Sequence, residues 1–188
     1  MAYDVVINVG LGVYDGSMRL LVEQGAHNSA RGADAAGNAP LSPKQEEGPD
    51  VLQVGSMAAS TSAVDGLVMG DYTVEAVNAR PRNSYICNDT HFRALKALQH
   101  AQSKLGCGRL QAVYFIHIPK PDKSCARFAN SAAEKAWEKG EDLSEGTDYG
   151  PLARAMATLI QTLVLHTVTG SPSGVRELYL GGGGGGAP

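Results

Sequence analysis

The strongest constraint on the fold is the run Ala112–Ile118 (AVYFIHI), a β-branched and aromatic segment that Pro119 closes. Such a run predicts a strand that is buried on both faces. Amphipathic helical patterns stand on either side of it. One begins near Ser84, and the other spans Pro151–Thr169. Strands that alternate with helices predict an α/β fold, with helices on the faces of a sheet.

Weaker patterns predict the remaining elements. The run Tyr3–Val9 predicts another strand buried on both faces, and Tyr72–Val77 alternates apolar and polar residues as a half-buried strand does. Ser17–Glu23 fits a strand or a short helix. Gly25–Val64 has no sustained period and predicts a long surface excursion with short strands. A short helix is expected around Ala129–Lys139.

Composition bounds the class of protein. The chain has 188 residues, 43% of them hydrophobic, which predicts one domain over residues 1–180, with an insertion at about 120–150. Residues 181–188 form a glycine-rich tail that is expected to be disordered. The net charge of −3 gives no general attraction to nucleic acid or to anionic lipid. No apolar run is long enough to cross a bilayer.

Cysteine usage and the N-terminus indicate the compartment. Three cysteines without a Cys-x-x-Cys pair fit neither a disulfide framework nor a zinc site. No basic segment precedes an apolar run at the N-terminus, so no signal peptide is visible. A reducing cytoplasm is therefore expected. The five histidines have no metal-binding spacing, and we expect no metal and no cofactor.

Three side chains are candidates for chemistry. Cys87 follows the candidate N-cap Ser84 by three residues, where the helix dipole favours a thiolate, although most free cysteines are buried and inert. His117 ends the strongest strand, where the crevice of an open α/β sheet lies, although one such histidine is more often structural. Glu23 ends the second possible strand and is an acid that is able to orient an imidazole, although a solvated acid is the simpler interpretation.

Two further patterns carry less weight. Gly10 to Gly16 follows a strand with the spacing GxGxxxG, which fits a turn better than a dinucleotide loop. His91 and His100 are expected on the solvated or flanking faces of the helix that carries Cys87.

Four segments together resemble one family. Asp4–Leu11 (DVVINVGL) is similar to DVVIHVGL, and Val22–Asn28 (VEQGAHN) has the same step from Glu to Asn as an LE…N motif. Ser84–Asn88 (SYICN) resembles TYVCN, and Phe115–Pro119 (FIHIP) resembles FIHVP. These are motifs of pyroglutamyl peptidase type I, the cysteine peptidases that remove an N-terminal pyroglutamyl residue. The resemblance spans about residues 2–170.

The resemblance implies a three-layer αβα sandwich with a mostly parallel central sheet, incomplete at its N-terminus. It implies Cys87 as nucleophile, His117 as base and Glu23 as the group that orients His117. Arg31, within an Arg-x-x-Asp segment, and Ile86, beside the nucleophile, are implied substrate-binding or oxyanion residues. The implied partners are peptides with an N-terminal pyroglutamate, without nucleic acid or membrane.

Two departures from the family pattern leave an alternative open. Arg82 and Asn83 replace a small Ala-Gly pair before the cysteine motif, which adds bulk and charge beside the site. The chain also begins at a later strand of the family and has no Gly-Phe-x-Pro-Phe segment to hold the pyroglutamyl ring. The alternative is therefore an inactive, truncated relative that acts as a binding or assembly module. A homo-oligomer would cover the open strand edge.

Overall fold

The computed structural model describes residues 4–15, 18–29, 44–79, 86–103, 110–120, 127–128, 135, 139 and 147–169. Within them, a five-stranded sheet has the order β1-β7-β2-β6-β5. Its strands are β1 (Val5–Asp15), β2 (Arg19–Glu23), β5 (Val68–Met69), β6 (Tyr72–Val77) and β7 (Ala112–Lys120). Two small two-stranded sheets pair β3 (Ala26–His27) with β4 (Val51–Leu52) and β8 (Arg127–Phe128) with β9 (Thr147–Asp148).

Strand pairing confirms the predicted mostly parallel sheet. β1 runs parallel to β7, and β2 runs parallel to β6, and these two pairings hold most of the registered residues. β7 and β2 are antiparallel neighbours, as are β5 and β6. The residues from Ala112 to Ile116 are all buried, because β7 has a strand on each side and a helix layer on each face.

In the described part of the chain, the layers are completed by the helices α1 (Gly55–Val64), α2 (Ile86–Ser103) and α3 (Gly150–Thr169). α1 and α3 pack against each other and against the sheet, and Tyr114 of β7 reaches Thr167 of α3 through a 2.8 Å bond between hydroxyls. α2 packs against β7 from the face that carries Phe115. Since Tyr114 and Phe115 point to opposite faces of the strand, the fold has the predicted αβα layers.

Three predictions about the elements are wrong. The helix α1 was expected to be loop, because its small residues (GSMAASTSAV) give almost no apolar stripe beyond Met57 and Val64. β1 is an edge strand with Val9 and Leu11 exposed, whereas burial on both faces was expected. It also continues through Gly10 and Gly12 to Asp15 rather than ending at Val9.

The other elements agree with the sequence patterns. The ambiguous second segment is the strand β2, and the strand Tyr72–Val77 has its predicted bounds. α2 and α3 correspond to the two predicted amphipathic helices, with Leu95, Leu159 and Leu163 fully buried. Apart from residues 135 and 139, the helix expected around residues 129–139 lies outside the described residues, as does the glycine-rich tail. Within the described residues, no helix is long and apolar enough to span a membrane.

Candidate active site

Strand pairing brings Glu23 and His117 together at one end of the sheet. Leu21 of β2 pairs with His117 of β7, and β2 ends two residues later at Glu23. The two side chains point to the same region, and Glu23 Oε1 lies 3.3 Å from His117 Nε2. Glu23 is only 4% exposed, and His117 is also buried. A carboxylate at this distance is placed to hold the orientation of the imidazole ring.

The thiol of Cys87 reaches the same place from α2. Cys87 is the second residue of this helix and is partly exposed. A Cβ atom placed on Gly10 would lie 3.0 Å from Cys87 Sγ and 2.8 Å from the Phe115 ring. Gly10 pairs with His117 across β1 and β7, and side chains of paired residues point to one face of a sheet. The sulfur therefore lies on the face of the sheet that carries the His117 side chain, and only glycine at position 10 leaves room for it.

The ionisation of Cys87 differs from the expectation. A position in the first turn of a helix was expected to favour the thiolate. In the structure, burial raises the pKa of the Cys87 thiol, and the negative charge of Glu23 raises it further. The backbone N–H of Cys87 opposes this and does not outweigh burial. The thiol is therefore protonated near neutral pH, and a base must remove its proton before it attacks.

This direction makes a prediction for alkylation. We expect Cys87 in the folded protein to react with iodoacetamide at a higher pH than a peptide with the sequence SYICN, since only the thiolate reacts. Peptide mapping by mass spectrometry separates Cys87 from Cys107 and Cys125. A reaction midpoint below that of the peptide would contradict the raised pKa and would indicate a preformed thiolate–imidazolium pair.

Asn88, directly after Cys87, fixes the start of α2 to the strand β3. Its side-chain oxygen accepts a 2.8 Å hydrogen bond from the backbone N–H of His27, and its nitrogen donates a 2.8 Å bond to the His27 carbonyl. Asn88 is buried. Because both bonds run to one residue, they hold the first turn of the helix, and hence Cys87, at a fixed height above the sheet.

We expect Asn88→Ala to lower the free energy of unfolding by about 1–3 kcal/mol, since it leaves the N–H of His27 unpaired and its carbonyl with only the 3.5 Å bond from Gln45 Nε2. Urea denaturation measures this effect. Asn88→Asp keeps the acceptor for the His27 N–H, but it places a buried carboxylate oxygen against the His27 carbonyl, so it should destabilise the fold as well. Equal stability of Asn88→Ala and the unchanged protein would show that water replaces the side chain at no cost.

Asn28, the last residue of the LE…N motif, has a structural role. Its side-chain oxygen accepts hydrogen bonds from the backbone N–H groups of Gln45 and Glu46. Its side-chain nitrogen donates to the carbonyls of Glu46 and Pro49. The step from Glu23 to Asn28 therefore joins the end of β2 to the segment before β4, and it supplies no chemistry itself.

The prediction for His91 is wrong. This residue was expected on a solvated or flanking face, but it is 1% exposed and packs edge-on against Phe115, with ring centroids 5.7 Å apart. His100 is exposed as expected. The spacing Cys87 to His91, four residues along one helix, puts both side chains on one face. That spacing was the signal in the sequence that would have placed His91 near the site.

Two predicted site residues remain, Ile86 and Arg31, and only Ile86 is among the described residues. Ile86 begins α2, and its side chain is 78% exposed beside Cys87. Arg31 lies outside the described residues, as do Arg82 and Asn83. Gly10 and Asn88 were not predicted as site residues. The glycine was assigned to a turn, and neither the approach of Cys87 nor the bonds of Asn88 can be read from spacing.

A cavity of about 450 Å³ lies elsewhere, between α1, α3 and the start of β7. It is on the Tyr114 face, opposite the face that carries Phe115 and His117. Its lining includes His166, whose pKa is lowered by burial. The described lining has no thiol or carboxylate beside that imidazole, so the nucleophile and base geometry belongs to the Cys87 site alone among the described residues.

The fold matches known proteins although the sequence does not. By sequence, neither a protein-family profile nor a curated protein matches the chain. By structure, it is similar to pyroglutamyl peptidase I from Bacillus amyloliquefaciens, with a TM-score of 0.56 and 18% identity over 87% of this chain and 68% of that one. The chain has the fold of pyroglutamyl peptidase I.

Two further solved structures have the same fold. A pyrrolidone carboxyl peptidase from Pyrococcus furiosus has a TM-score of 0.55 and 19% identity over 87% of this chain and 70% of that one. The enzyme from Thermococcus litoralis has a TM-score of 0.50 and 21% identity over 98% of this chain and 71% of that one. The resemblance drawn from the four motifs is confirmed for the fold, and at this identity it is a statement about the fold alone.

Proposed function

We propose that the protein is a cysteine peptidase that removes N-terminal pyroglutamate from peptides. The observation that carries the proposal is that Cys87, His117 and Glu23 lie on one face of the sheet in the fold of pyroglutamyl peptidase I. Cys87 Sγ lies against Gly10, Gly10 pairs with His117, and His117 Nε2 lies 3.3 Å from Glu23 Oε1. A thiol, an imidazole and a buried carboxylate in this order form a nucleophile, a base and an orienting group.

Acylation begins with proton transfer. His117 takes the proton of the Cys87 thiol as the sulfur attacks the carbonyl carbon that joins pyroglutamate to the next residue. The oxyanion that forms accepts a hydrogen bond from the backbone N–H of Cys87, in the first turn of α2. His117 then gives its proton to the departing amine, the C–N bond breaks, and a thioester remains.

Deacylation repeats the steps with water. His117 takes a proton from water, and the hydroxide attacks the thioester carbonyl. The C–S bond breaks, the sulfur regains the proton from His117, and pyroglutamate leaves. Glu23 remains ionised and keeps the charged form of His117 stable in both halves of the reaction. No step requires a cofactor or a metal ion.

The proposal includes two substrate-binding residues and a location. Ile86, exposed beside Cys87, provides an apolar surface for the substrate next to the scissile bond. Arg31 remains a proposed substrate-binding residue on the strength of the Arg-x-x-Asp resemblance. A reducing cytoplasm would keep the Cys87 thiol in the form that the mechanism needs.

The test is release of a fluorophore from a pyroglutamyl amide. We expect turnover by the unchanged protein and none by Cys87→Ala, with circular dichroism showing that both are folded. Prolyl amide, which has the ring without its carbonyl, is the matched control substrate and should be cleaved poorly. Absence of turnover by the folded protein would reject the peptidase and favour the inactive binding or assembly module.

A further inference from the structure

The cavity on the Tyr114 face of the sheet is a second candidate binding site, on the opposite side from Cys87. Its volume of about 450 Å³ is typical of a site for a small molecule. It lies between α1 and α3 because α1 lines it with the small side chains of Ala59, Ser60 and Ala63, which leave the space open. No step of the proposed peptidase mechanism uses this cavity.

A buried imidazole forms part of the cavity wall. His166 of α3 is 5% exposed, and its Nε2 atom is buried without a hydrogen-bond partner among the described residues. Burial lowers the pKa of His166, so the neutral ring has one N–H donor and one acceptor nitrogen. A buried polar atom without a partner destabilises the folded state, and an apolar side chain would avoid that cost. Packing alone therefore does not explain the histidine, whereas a ligand hydrogen-bonded to its ring does.

Two hydroxyls beside His166 restrict what the ligand offers in return. Thr167 donates its only hydroxyl proton to the Leu163 carbonyl at 2.8 Å. Tyr114 must therefore be the donor in the 2.8 Å bond between the Tyr114 and Thr167 hydroxyls, both of which line the cavity. Neither hydroxyl has a proton left for a ligand, although each oxygen keeps a lone pair. A ligand that contacts this pair must bring a hydrogen-bond donor.

The rest of the lining favours an uncharged ligand with an amide-like edge. Among the described lining residues there is no Asp, Glu, Lys or Arg, so a charged ligand would lose hydration without gaining a counter-charge. Gln102 and Gln111 contribute two exposed carboxamides. A carboxamide has a donor and an acceptor side by side, and it pairs through two hydrogen bonds with the edge of a lactam or a nucleobase.

We propose that this cavity binds a small uncharged molecule with a hydrogen-bond donor and acceptor side by side, the class that includes nucleobases and nucleosides. Its edge pairs with a glutamine carboxamide, a donor meets the Tyr114 and Thr167 oxygens, and its apolar body lies against Ala59 and Ala63. The proposal does not depend on the peptidase function, because the cavity and Cys87 lie on opposite faces of the sheet.

The probes for this site are adenosine and uridine, each compared with its monophosphate by isothermal titration calorimetry on the full chain. We expect saturable binding of at least one nucleoside and a dissociation constant for its monophosphate that is about tenfold higher or more, since the phosphate finds no counter-charge in the described lining. Absence of saturable binding by both nucleosides up to their solubility would overturn the proposal. Equal affinity for nucleoside and monophosphate would overturn the uncharged class.

Variants on the two faces of the sheet locate the binding. Ala63→Leu fills the cavity and should abolish binding, and His166→Phe should weaken it by about tenfold, the effect of one lost hydrogen bond. Ser62→Leu, at an exposed position of α1, and Cys87→Ala are the controls and should keep the affinity. Urea denaturation shows which variants fold, and His166→Phe decides if Ala63→Leu does not. Unchanged affinity in the folded cavity variants, or lost affinity in Cys87→Ala, would overturn the cavity as the site.

Discussion

His117→Ala is expected to lower kcat on a pyroglutamyl amide by about 10⁴-fold or more, the size of effect that follows loss of a base in a nucleophile–base unit. The reason is specific to this site. Burial and the charge of Glu23 raise the pKa of Cys87, so the sulfur is protonated near neutral pH and needs a base to attack. Steady-state kinetics with matched circular dichroism spectra measure the loss.

Two controls make this expectation sharp. The double variant Cys87→Ala/His117→Ala should be no slower than either single variant, because the two groups act as one unit. The residual rate of His117→Ala should rise with pH as the thiol ionises by itself. A kcat within tenfold of the unchanged protein, or a residual rate that is flat with pH, would show that His117 is not the base.

The part of the fold that the sequence predicts is the part with strong periodicity. The run AVYFIHI is almost continuously apolar because β7 is a central strand between two layers of helix, and few other positions in a fold favour such a run. The helix α1 escapes prediction because Ala, Ser and Thr fill most of its length. The hydroxyl of the buried Thr61 donates a 2.6 Å hydrogen bond to the Met57 carbonyl within the same helix.

The candidate site likewise has features that local sequence patterns predict and features that only tertiary packing determines. The strand positions of Glu23 and His117 follow from local patterns, whereas their proximity comes from the antiparallel register of β2 and β7, in which Leu21 pairs with His117. The approach of Cys87 to Gly10 depends on how α2 lies on the sheet, which no local pattern encodes. The direction of the thiol pKa is also a tertiary property. The first helical turn favours the thiolate, and burial beside Glu23 outweighs it.

Glu23 therefore acts on the two reactive groups in opposite directions. In the proposed reaction its charge balances the imidazolium that His117 becomes in the transition states of both halves, which accelerates them. The same charge raises the pKa of Cys87, which disfavours the thiolate. The arrangement suits a site in which the proton moves between sulfur and imidazole during the attack, rather than one that stores a thiolate at rest.

Because Glu23 acts on Cys87 and His117 in opposite directions, Glu23→Gln should increase the reactivity of the Cys87 thiol and decrease the rate of turnover. The amide removes the negative charge, so we expect Cys87 to be alkylated by iodoacetamide faster than in the unchanged protein at the same pH. Turnover of the pyroglutamyl amide should nevertheless fall by about 10²–10⁴-fold, because the imidazolium loses its counter-charge and the ring loses its fixed tautomer. Parallel alkylation and kinetic measurements on one preparation compare the two effects directly.

Glu23→Asp is the matched control, since it keeps the charge and withdraws the oxygen from His117 Nε2 by about the length of one C–C bond. Glu23→Asp should lower turnover only because the carboxylate oxygen is farther from His117, and the alkylation rate of Cys87 should rise little. If Glu23→Gln lost alkylation and turnover together, the carboxylate would be needed to form the thiolate. The resting site would then be an ion pair of Cys87 and His117, against the raised pKa that burial imposes on the sulfur.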